Sequence, residues 1–187
     1  MTSSSSTLQA LAVIETASIA RGFVVLDALV KKAPVVIKIA KPVSPGKFVI
    51  VFGGGVESVF ESIEEARSIA GSDVVDELFL PGVHPLVLPA IERHVAAEDG
   101  EAVAIVETTT VAAAILAADA ALKAVDVTVV RMHLALGVGG KGWFTLAGAL
   151  ADLEAAVEAV KNTVNVERLV AVEVIARPHG EIRGFLS

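Results

Sequence analysis

Two segments of the chain carry apolar residues at a helical spacing, and each follows a residue that favours a helix start. In both segments the apolar positions recur at i, i+4, i+7 and i+11, which form one face of an α-helix. Ser18 precedes the first segment and Thr110 the second, and a hydroxyl at that point caps free backbone N–H groups. The pattern therefore predicts two helices with apolar stripes, formed by Ile19, Phe23, Leu26 and Val30 and by Val111, Ile115, Ala118 and Leu122.

Short apolar runs rich in Val, Ile and Phe surround each of these helices. They predict strands at 9–14, 34–40, 47–52 and 75–80, and again at 102–107, 126–132, 142–147 and 168–175. A second helix precedes the last strand of each set, with stripes formed by Val59, Ile63 and Ala66 and by Leu153, Val157 and Val160. The order strand–helix–strand–strand–helix–strand is the split βαβ, or ferredoxin-like, plan. The predicted fold class is therefore α/β (α+β), with this plan present twice.

The two halves of the chain are an internal repeat. Residues 12–31 align with residues 104–123 at an offset of 92, and seven of those 20 positions are identical. Farther on, Gly46-Lys47 aligns with Gly140-Lys141 at an offset of 94, so the second loop is two residues longer. The polar stretch 94–101 separates the copies. We predict two tandem domains, at residues 8–95 and 101–187.

Composition excludes several classes of protein. The chain is 54% hydrophobic with a mean hydropathy of +0.70, but its longest runs without a charged residue are 14 residues, too short for a spanning helix. The N-terminus lacks the basic region of a signal peptide, so we expect a cytoplasmic location and no membrane partner. A net charge of −7 without a basic stripe argues against nucleic acid. The absence of cysteine excludes disulfides, thiolate metal sites and cysteine nucleophiles.

No candidate catalytic or metal-binding cluster emerges from the sequence. The four histidines, at 84, 94, 133 and 179, lack ligand spacing, so we expect no metal and no cofactor. Glu15 and Glu107 invite a reading as paired catalytic acids, but each lies where a strand meets a helix. We interpret Glu15-Thr16 and Glu107-Thr108 as a structural strand–helix motif, whose carboxylates satisfy backbone amides.

The segment 134–143, LALGVGGKGW, nearly spells a phosphate-binding loop. Ala135 stands where the pattern needs its first glycine, however, and Gly142 where it needs a hydroxyl. The equivalent segment of the first copy, PVSPGKFV, also lies between two predicted strands, whereas a phosphate loop leads from a strand into a helix. We therefore expect a turn between strands rather than a nucleotide site.

Several motifs together resemble the bacterial microcompartment shell domain. They are the strand ends IET and VET, the helix end ADAALKA at 118–124, the glycine-rich loop at 137–141 and RPH at 177–179. Two copies in one chain resemble the non-permuted tandem class of these shell proteins, in particular its propanediol-utilisation members, over residues 8–187. This resemblance implies a structural, non-enzymatic protein of the microcompartment shell. It implies a homotrimer that imitates a hexamer and tiles beside hexameric and pentameric shell proteins.

The resemblance also assigns roles to residues. The loops between the second and third strands would line a central pore, through Val43, Ser44, Pro45, Gly46, Gly137, Val138 and Gly139. Nearby Lys41, Lys47 and Lys141 would bias that pore towards small polar or anionic metabolites. Residues at the edges of the assembled tile would be Lys31, Lys123, Arg177 and His179.

One departure limits the resemblance. Some propanediol-utilisation members hold an iron–sulfur cluster through a cysteine in the first loop, where this chain has Ser44. Such clusters require thiolates, so their electron-transfer role does not carry over. The alternative interpretation is a trimeric, small-molecule-binding regulatory protein of ferredoxin-like fold, which needs a ligand-anchoring cluster that the sequence does not show. An enzyme ranks third, because no convergent acid, base or nucleophile is visible.

Overall fold

A computed structural model of the chain describes residues 8–92 and 102–186. Within those residues the chain forms two compact units, residues 8–42 with 46–85, and residues 43–45 with 86–92 and 102–186. His94 and the predicted domain bounds at 95, 101 and 187 lie outside the described residues. Each unit contains one four-stranded sheet, and the two sheets have the same strand order.

The first unit contains a four-stranded antiparallel sheet and two helices. Its strands lie in the order β2-β3-β1-β4, and the central β1 pairs antiparallel with both β3 and β4. The elements along the chain are β1 (Ala10–Thr16), α1 (Ile19–Lys32), β2 (Val36–Val43), β3 (Lys47–Gly54), α2 (Val56–Ala70) and β4 (Val74–Pro81). A single 3-10 turn, Gly71–Asp73, leads into β4.

The second unit repeats this plan and adds two short helices. Its sheet order is β6-β7-β5-β8, again with the first strand of the unit between its antiparallel partners. The additional helix α3 (Val87–Glu92) packs against β6 and α4. The remaining elements are β5 (Ala102–Thr108), α4 (Val111–Ala124), β6 (Thr128–Leu134), β7 (Gly142–Gly148), α5 (Leu150–Thr163), β8 (Leu169–Ala176) and α6 (Gly180–Leu186), with a 3-10 turn at Val166–Arg168.

The predicted α+β class and tandem ferredoxin-like plan are confirmed by these two sheets. The predicted caps also form, because the Ser18 hydroxyl accepts from Arg21 N–H and the Thr110 hydroxyl accepts from Ala113 N–H. The helices α3 and α6 were not predicted, since each lies in a short tail after the fourth strand. The strands β2 and β6 begin two residues later than the hydrophobic pattern suggests.

Helix α1 differs from the sequence expectation in the face that it buries. The residues of α1 that are buried are Gly22, Val25 and Leu29, whereas Ile19, Phe23 and Val30 of the predicted stripe are exposed. The cause is that α1 is apolar on two faces, and the pattern alone does not say which one meets the sheet. In α4 all four residues of the predicted stripe are buried. The stripes of α2 and α5 are buried as well.

In each unit a glycine lies at a close contact between a helix and a strand. The glycine is on the helix in the first unit and on the strand in the second. In the first unit, a Cβ atom on Gly22 of α1 would lie 2.5 Å from Cβ and Cγ of Phe48 on β3. At the equivalent place in the second unit, the helix carries Ala114 and the strand carries Gly142, whose added Cβ would lie 2.5 Å from Cβ of Ala114. Each contact thus pairs one glycine with a larger side chain. This exchange explains why these positions differ between the copies although the fold is the same.

Candidate functional site

The loop between β2 and β3 is short and presents small residues to solvent. Val43 is buried, while Ser44, Pro45 and Gly46 are exposed, and the Ser44–Pro45 peptide bond is cis. Gly46 has φ +130°, a conformation that side chains rarely adopt, although open space surrounds its Cβ position. The glycine is therefore needed here for its backbone conformation.

The loop between β6 and β7 is longer and closes on itself. The N–H of Ala135 donates to the carbonyl of Lys141 at 3.0 Å, and the N–H of Lys141 donates to the carbonyl of Val138 at 3.3 Å. Ala135, Gly137, Gly139 and Gly140 all have positive φ, so this turn depends on glycine. Gly137 and Gly139 are exposed at its tip, with Val138 half-buried between them.

Lys47, the lysine of the first Gly-Lys pair, forms an ion pair with the strand–helix motif. Its Nζ lies 2.6 Å from Oε2 of Glu15. The Glu15 side chain is fully buried and that of Lys47 is 12% exposed. A charge buried in this way requires an opposite charge close by. The partners predicted for Glu15 were backbone amides, and this lysine was not predicted.

The second unit repeats this ion pair nearer to solvent. Nζ of Lys141 lies 2.6 Å from Oε1 of Glu107, and the two side chains are 46% and 33% exposed. Lys47 and Lys141 are therefore each neutralised by a carboxylate. These ion pairs reduce the net positive field of Lys47 and Lys141. The anionic bias of the pore, predicted from these two lysines and Lys41, stays a prediction.

The threonine of each strand–helix motif holds the start of the following helix. The hydroxyl of Thr16 donates to the carbonyl of Ser18 at 2.9 Å, and that of Thr108 donates to the carbonyl of Thr110 at 2.8 Å. Both threonines are buried. In each unit the glutamate binds the lysine at the end of the β2–β3 or β6–β7 loop, and the threonine hydroxyl binds the backbone at the start of the helix. The Glu-Thr dipeptide therefore connects its own strand with that loop and that helix.

An aromatic and cationic cluster lies at the base of the second loop. The ring of His133 stacks on Trp143 with centroids 5.7 Å apart, and Cζ of Arg131 lies 5.3 Å from the centroid of the Trp143 ring. Nε2 of His133 donates to the carbonyl of Leu136 in the loop. From the sequence, His133 was noted only for its lack of ligand spacing, and Arg131 was not singled out. The one feature of the sequence that could have drawn attention to this cluster is Trp143, the only tryptophan of the chain.

The two candidate edge lysines have the same partner in both units. Lys31 lies 2.6 Å from Asp27, and Lys123 lies 2.6 Å from Asp119, each one helical turn earlier. Such pairs stabilise a helix by about 0.2–0.5 kcal/mol. The aspartate and the lysine are both identical in the two repeats, so the pair could have been predicted from the sequence. Lys31 is largely exposed, whereas the carboxylate of Asp119 is almost buried.

The candidate edge residues of the second unit lie between β8 and α6. Arg177 is exposed and has φ +55°, unusual for a residue with a side chain. Nδ1 of His179 accepts from the N–H of Glu181 at 3.3 Å, and the carbonyl of His179 accepts from the N–H of Ile182 at 3.0 Å. These bonds place His179 at the start of α6.

Two further properties bear on function. Within residues 8–92 and 102–186, no group of three or more metal-ligating side chains lies close enough to hold an ion. The helices of that same part of the chain include none that is long and apolar enough to cross a membrane.

The chain belongs to the bacterial microcompartment domain family. Its sequence matches the BMC domain twice, over residues 10–83 and 102–178. These two matches cover both sheets and the helices α1, α2, α4 and α5, and they leave out α3 and α6. The chain is therefore a tandem BMC-domain protein.

A curated relative makes the assignment more specific. The chain is 42% identical to the bacterial microcompartment shell protein PduT of Citrobacter freundii over 172 residues. That alignment covers 91% of this chain and 94% of the relative. Together with the two domain matches, this similarity assigns the chain a structural role in a microcompartment shell, rather than a catalytic one.

Solved structures agree with this assignment. A microcompartment protein from Desulfitobacterium hafniense superposes with a TM-score of 0.82 at 36% identity, covering 94% of this chain and 98% of its own. The fused permuted hexameric shell protein MSM0275 of the RMM microcompartment has a TM-score of 0.64 at 23% identity, covering 86% of this chain and 83% of its own. At that identity the second likeness concerns the fold alone.

Proposed function

We propose that three copies of this chain form a closed ring of six domains that tiles into the facet of a microcompartment shell. The ring would be a homotrimer with the outline of a hexamer, and the loops after β2 and β6 would surround its central pore. The domains in this proposal are residues 8–95 and 101–187.

The observation that carries the proposal is an exposed apolar face on α1. The side chains of Phe23 and Val24 are 57% and 52% exposed, and Ile19 and Val30 are exposed beside them. The repeat equivalents of Ile19 and Phe23 in α4 are Val111 and Ile115, and both are fully buried. Contiguous apolar surface of this kind marks an interaction site. Since the same helix face is covered in one unit, a second copy of the chain is the occupant that fits the other.

A second apolar surface lies on the other unit. Val170 and Val174 of β8 are exposed, as is Val166 in the preceding turn. β8 is also an edge strand. Two different surfaces, one on each unit, favour a head-to-tail contact, and such contacts generate rings when the rotation closes. Three copies of a two-domain chain close into six domains.

The two loops support the pore. Ser44, Pro45 and Gly46 in the first loop, and Gly137 and Gly139 in the second, are small and exposed, and each loop has its lysine paired with an acid. A rim of this composition suits small polar metabolites, with Val43 and Val138 completing it. The loops differ in sequence and length, so the pore would have three-fold rather than six-fold symmetry.

The perimeter of the ring would contact hexameric and pentameric shell proteins. Lys31, Lys123, Arg177 and His179 are the residues that the family resemblance assigns to this edge. All four are exposed in the single chain. The ion pair with Asp27 fixes the orientation of Lys31 at the end of α1, where Lys31 would contact a neighbouring tile.

The mass of the purified protein in solution tests the ring. Light scattering coupled to size exclusion should give the mass of three chains at micromolar concentration. A monomeric mass under those conditions would contradict the proposal. Electron microscopy of the same sample, alone and mixed with a hexameric shell protein, then tests tiling through the appearance of sheets.

A further inference from the structure

Arg131, His133 and Trp143 lie on one face of the second sheet. His133 pairs with Trp143 across β6 and β7, and Arg131 pairs with Thr145. Because side chains alternate along a strand, these residues project from the face opposite to Met132 and Phe144. Phe144 is fully buried in the core. The cluster is thus outside that core, at the base of the β6–β7 loop.

The guanidinium of Arg131 lacks a hydrogen-bonding partner at its Nε. This nitrogen is buried, and no acceptor among the described residues reaches it. No carboxylate of those residues forms an ion pair with Arg131 either. Buried donors in proteins nearly always have an acceptor. The Nη nitrogens of Arg131 have no hydrogen bond or ion pair with the described residues either, and they are not buried. The guanidinium therefore has accessible donors for an acceptor from outside the chain.

The surroundings of Arg131 orient it for recognition. Trp143 supports the guanidinium through its ring, and His133 packs on the same ring while its Nε2 is bonded to Leu136. A guanidinium held in this way presents a planar fork of donors, which matches the two oxygens of a carboxylate or phosphate.

The cluster belongs to one repeat only. At offsets of 92 and 94, the equivalents of Arg131, His133 and Trp143 are Ile39, Lys41 and Val49. Features that maintain the fold, such as the Glu–Lys ion pairs, occur in both units. A guanidinium on an indole in the second unit alone therefore indicates a specialised role.

We propose that Arg131, Trp143 and His133 form a binding site for a small oxyanion, a carboxylate or a phosphate, at the base of the β6–β7 loop. Arg131 accounts for the charge recognition, and Trp143 and His133 fix its orientation. The site is contained in one unit and does not require the ring. If the proposed ring forms, it carries three such sites beside its pore.

Tryptophan fluorescence reports on this site directly, because Trp143 is the only tryptophan and the chain has no tyrosine. The full-length protein is titrated with sodium acetate and, separately, with sodium phosphate at constant ionic strength, with sodium chloride as the reference. We expect a saturable change in emission with at least one of the two oxyanions and none with chloride. A linear response, or the same response to chloride, would overturn the proposal.

Variants identify the group responsible. Arg131→Gln should weaken binding by about tenfold or more, the loss expected for a charge-assisted hydrogen bond. Arg131→Lys keeps the charge but loses the fork, and should bind with intermediate affinity. Lys161→Gln removes an exposed charge on α5 and should bind as the wild type does. Calorimetric titration gives the affinities independently of the indole, whose emission the Arg131 substitutions alter.

Two results separate this proposal from that of the ring. Wild-type affinity in Arg131→Gln would refute the oxyanion site, whatever the oligomeric mass. Saturable, Arg131-dependent binding to a protein of monomeric mass would support the site and refute the ring. Circular dichroism of each variant establishes that a lost response reflects the site rather than unfolding.

Discussion

Lys47 Nζ and Glu15 Oε2 lie 2.6 Å apart beneath the β2–β3 loop, with the carboxylate fully buried. The pair joins two motifs that the sequence shows separately: the Glu-Thr at the end of β1 and the Gly-Lys at the start of β3. The equivalent atoms of Lys141 and Glu107 are also 2.6 Å apart in the second unit. Each loop is therefore anchored at its base by an ion pair, and this arrangement is part of the fold of both units.

Glu15→Gln should destabilise the protein strongly. The substitution leaves the ammonium of Lys47 without its buried counter-charge, and breaking a buried pair costs about 3–5 kcal/mol. Urea unfolding followed by circular dichroism measures the change in the free energy of unfolding.

Glu107→Gln is the matched control in the other repeat. Its pair is partly exposed, so the loss should be about 0–1 kcal/mol. Equal losses in the two variants would contradict the difference in burial that the structure assigns to the two pairs.

Gly22→Ala should destabilise the first unit. The new Cβ would meet Cβ and Cγ of Phe48 at 2.5 Å, and neither atom is the flexible end of its side chain. Overpacking of this kind costs about 1–3 kcal/mol, despite the better helix propensity of alanine. Gly184→Ala in α6 has open space around it and should not lower stability. A Gly22→Ala protein as stable as the wild type would disprove the close helix–strand contact.

Val24→Asp should dissociate the ring without unfolding the chain. Val24 is half exposed in the single chain, and a carboxylate there would be buried without a partner in the proposed contact. The penalty of about 3 kcal/mol or more corresponds to roughly a hundredfold weaker association. Light scattering should show the mass of one chain, with an unchanged circular dichroism spectrum.

Val56→Asp is the control for this variant. Val56 is also exposed, but it begins α2, where an acid is favourable. Its mass should remain that of three chains. Dissociation by both substitutions, or by neither, would count against α1 as the contact surface.

The double variant Lys31→Glu, Lys123→Glu should block tiling but not ring formation. Reversing both charges places each new carboxylate one turn from an existing aspartate and alters the proposed edge of the tile. Electron microscopy should show separate rings where the wild type forms sheets. Lys161→Glu, with the same type of change on α5, should still form sheets. Normal sheets from the double variant would remove these lysines from the edge.

The fold could be predicted because each helix and strand occurs twice in the chain, so that two hydrophobic patterns support each one. Where the copies agree, as at Glu15 and Glu107 or Asp27 and Asp119, the shared residues have equivalent contacts in both units. The buried face of α1 could not be chosen in the same way. Val25 and Leu29 compete there with Phe23 and Val30, and only the tertiary contact with the sheet decides between them.

The contacts around the loops could not be predicted from the local sequence pattern, because they depend on the register in which the strands pair. Lys47 meets Glu15 because β3 pairs antiparallel with β1, at a sequence separation of 32 residues. Trp143 meets His133 across the β6–β7 turn, whose pairing depends on where that turn closes. The positive φ angles in the turn fix that closure, and hydrophobic periodicity does not encode them.

The structure of the assembled particle, determined by electron cryomicroscopy, tests the central claim most directly. We predict three chains around a three-fold axis, with Ser44 and Val138 of every chain within about 10 Å of it, the order of one helix diameter. A particle of other symmetry, or one in which these two residues lie at the perimeter, would contradict the proposed ring and its pore.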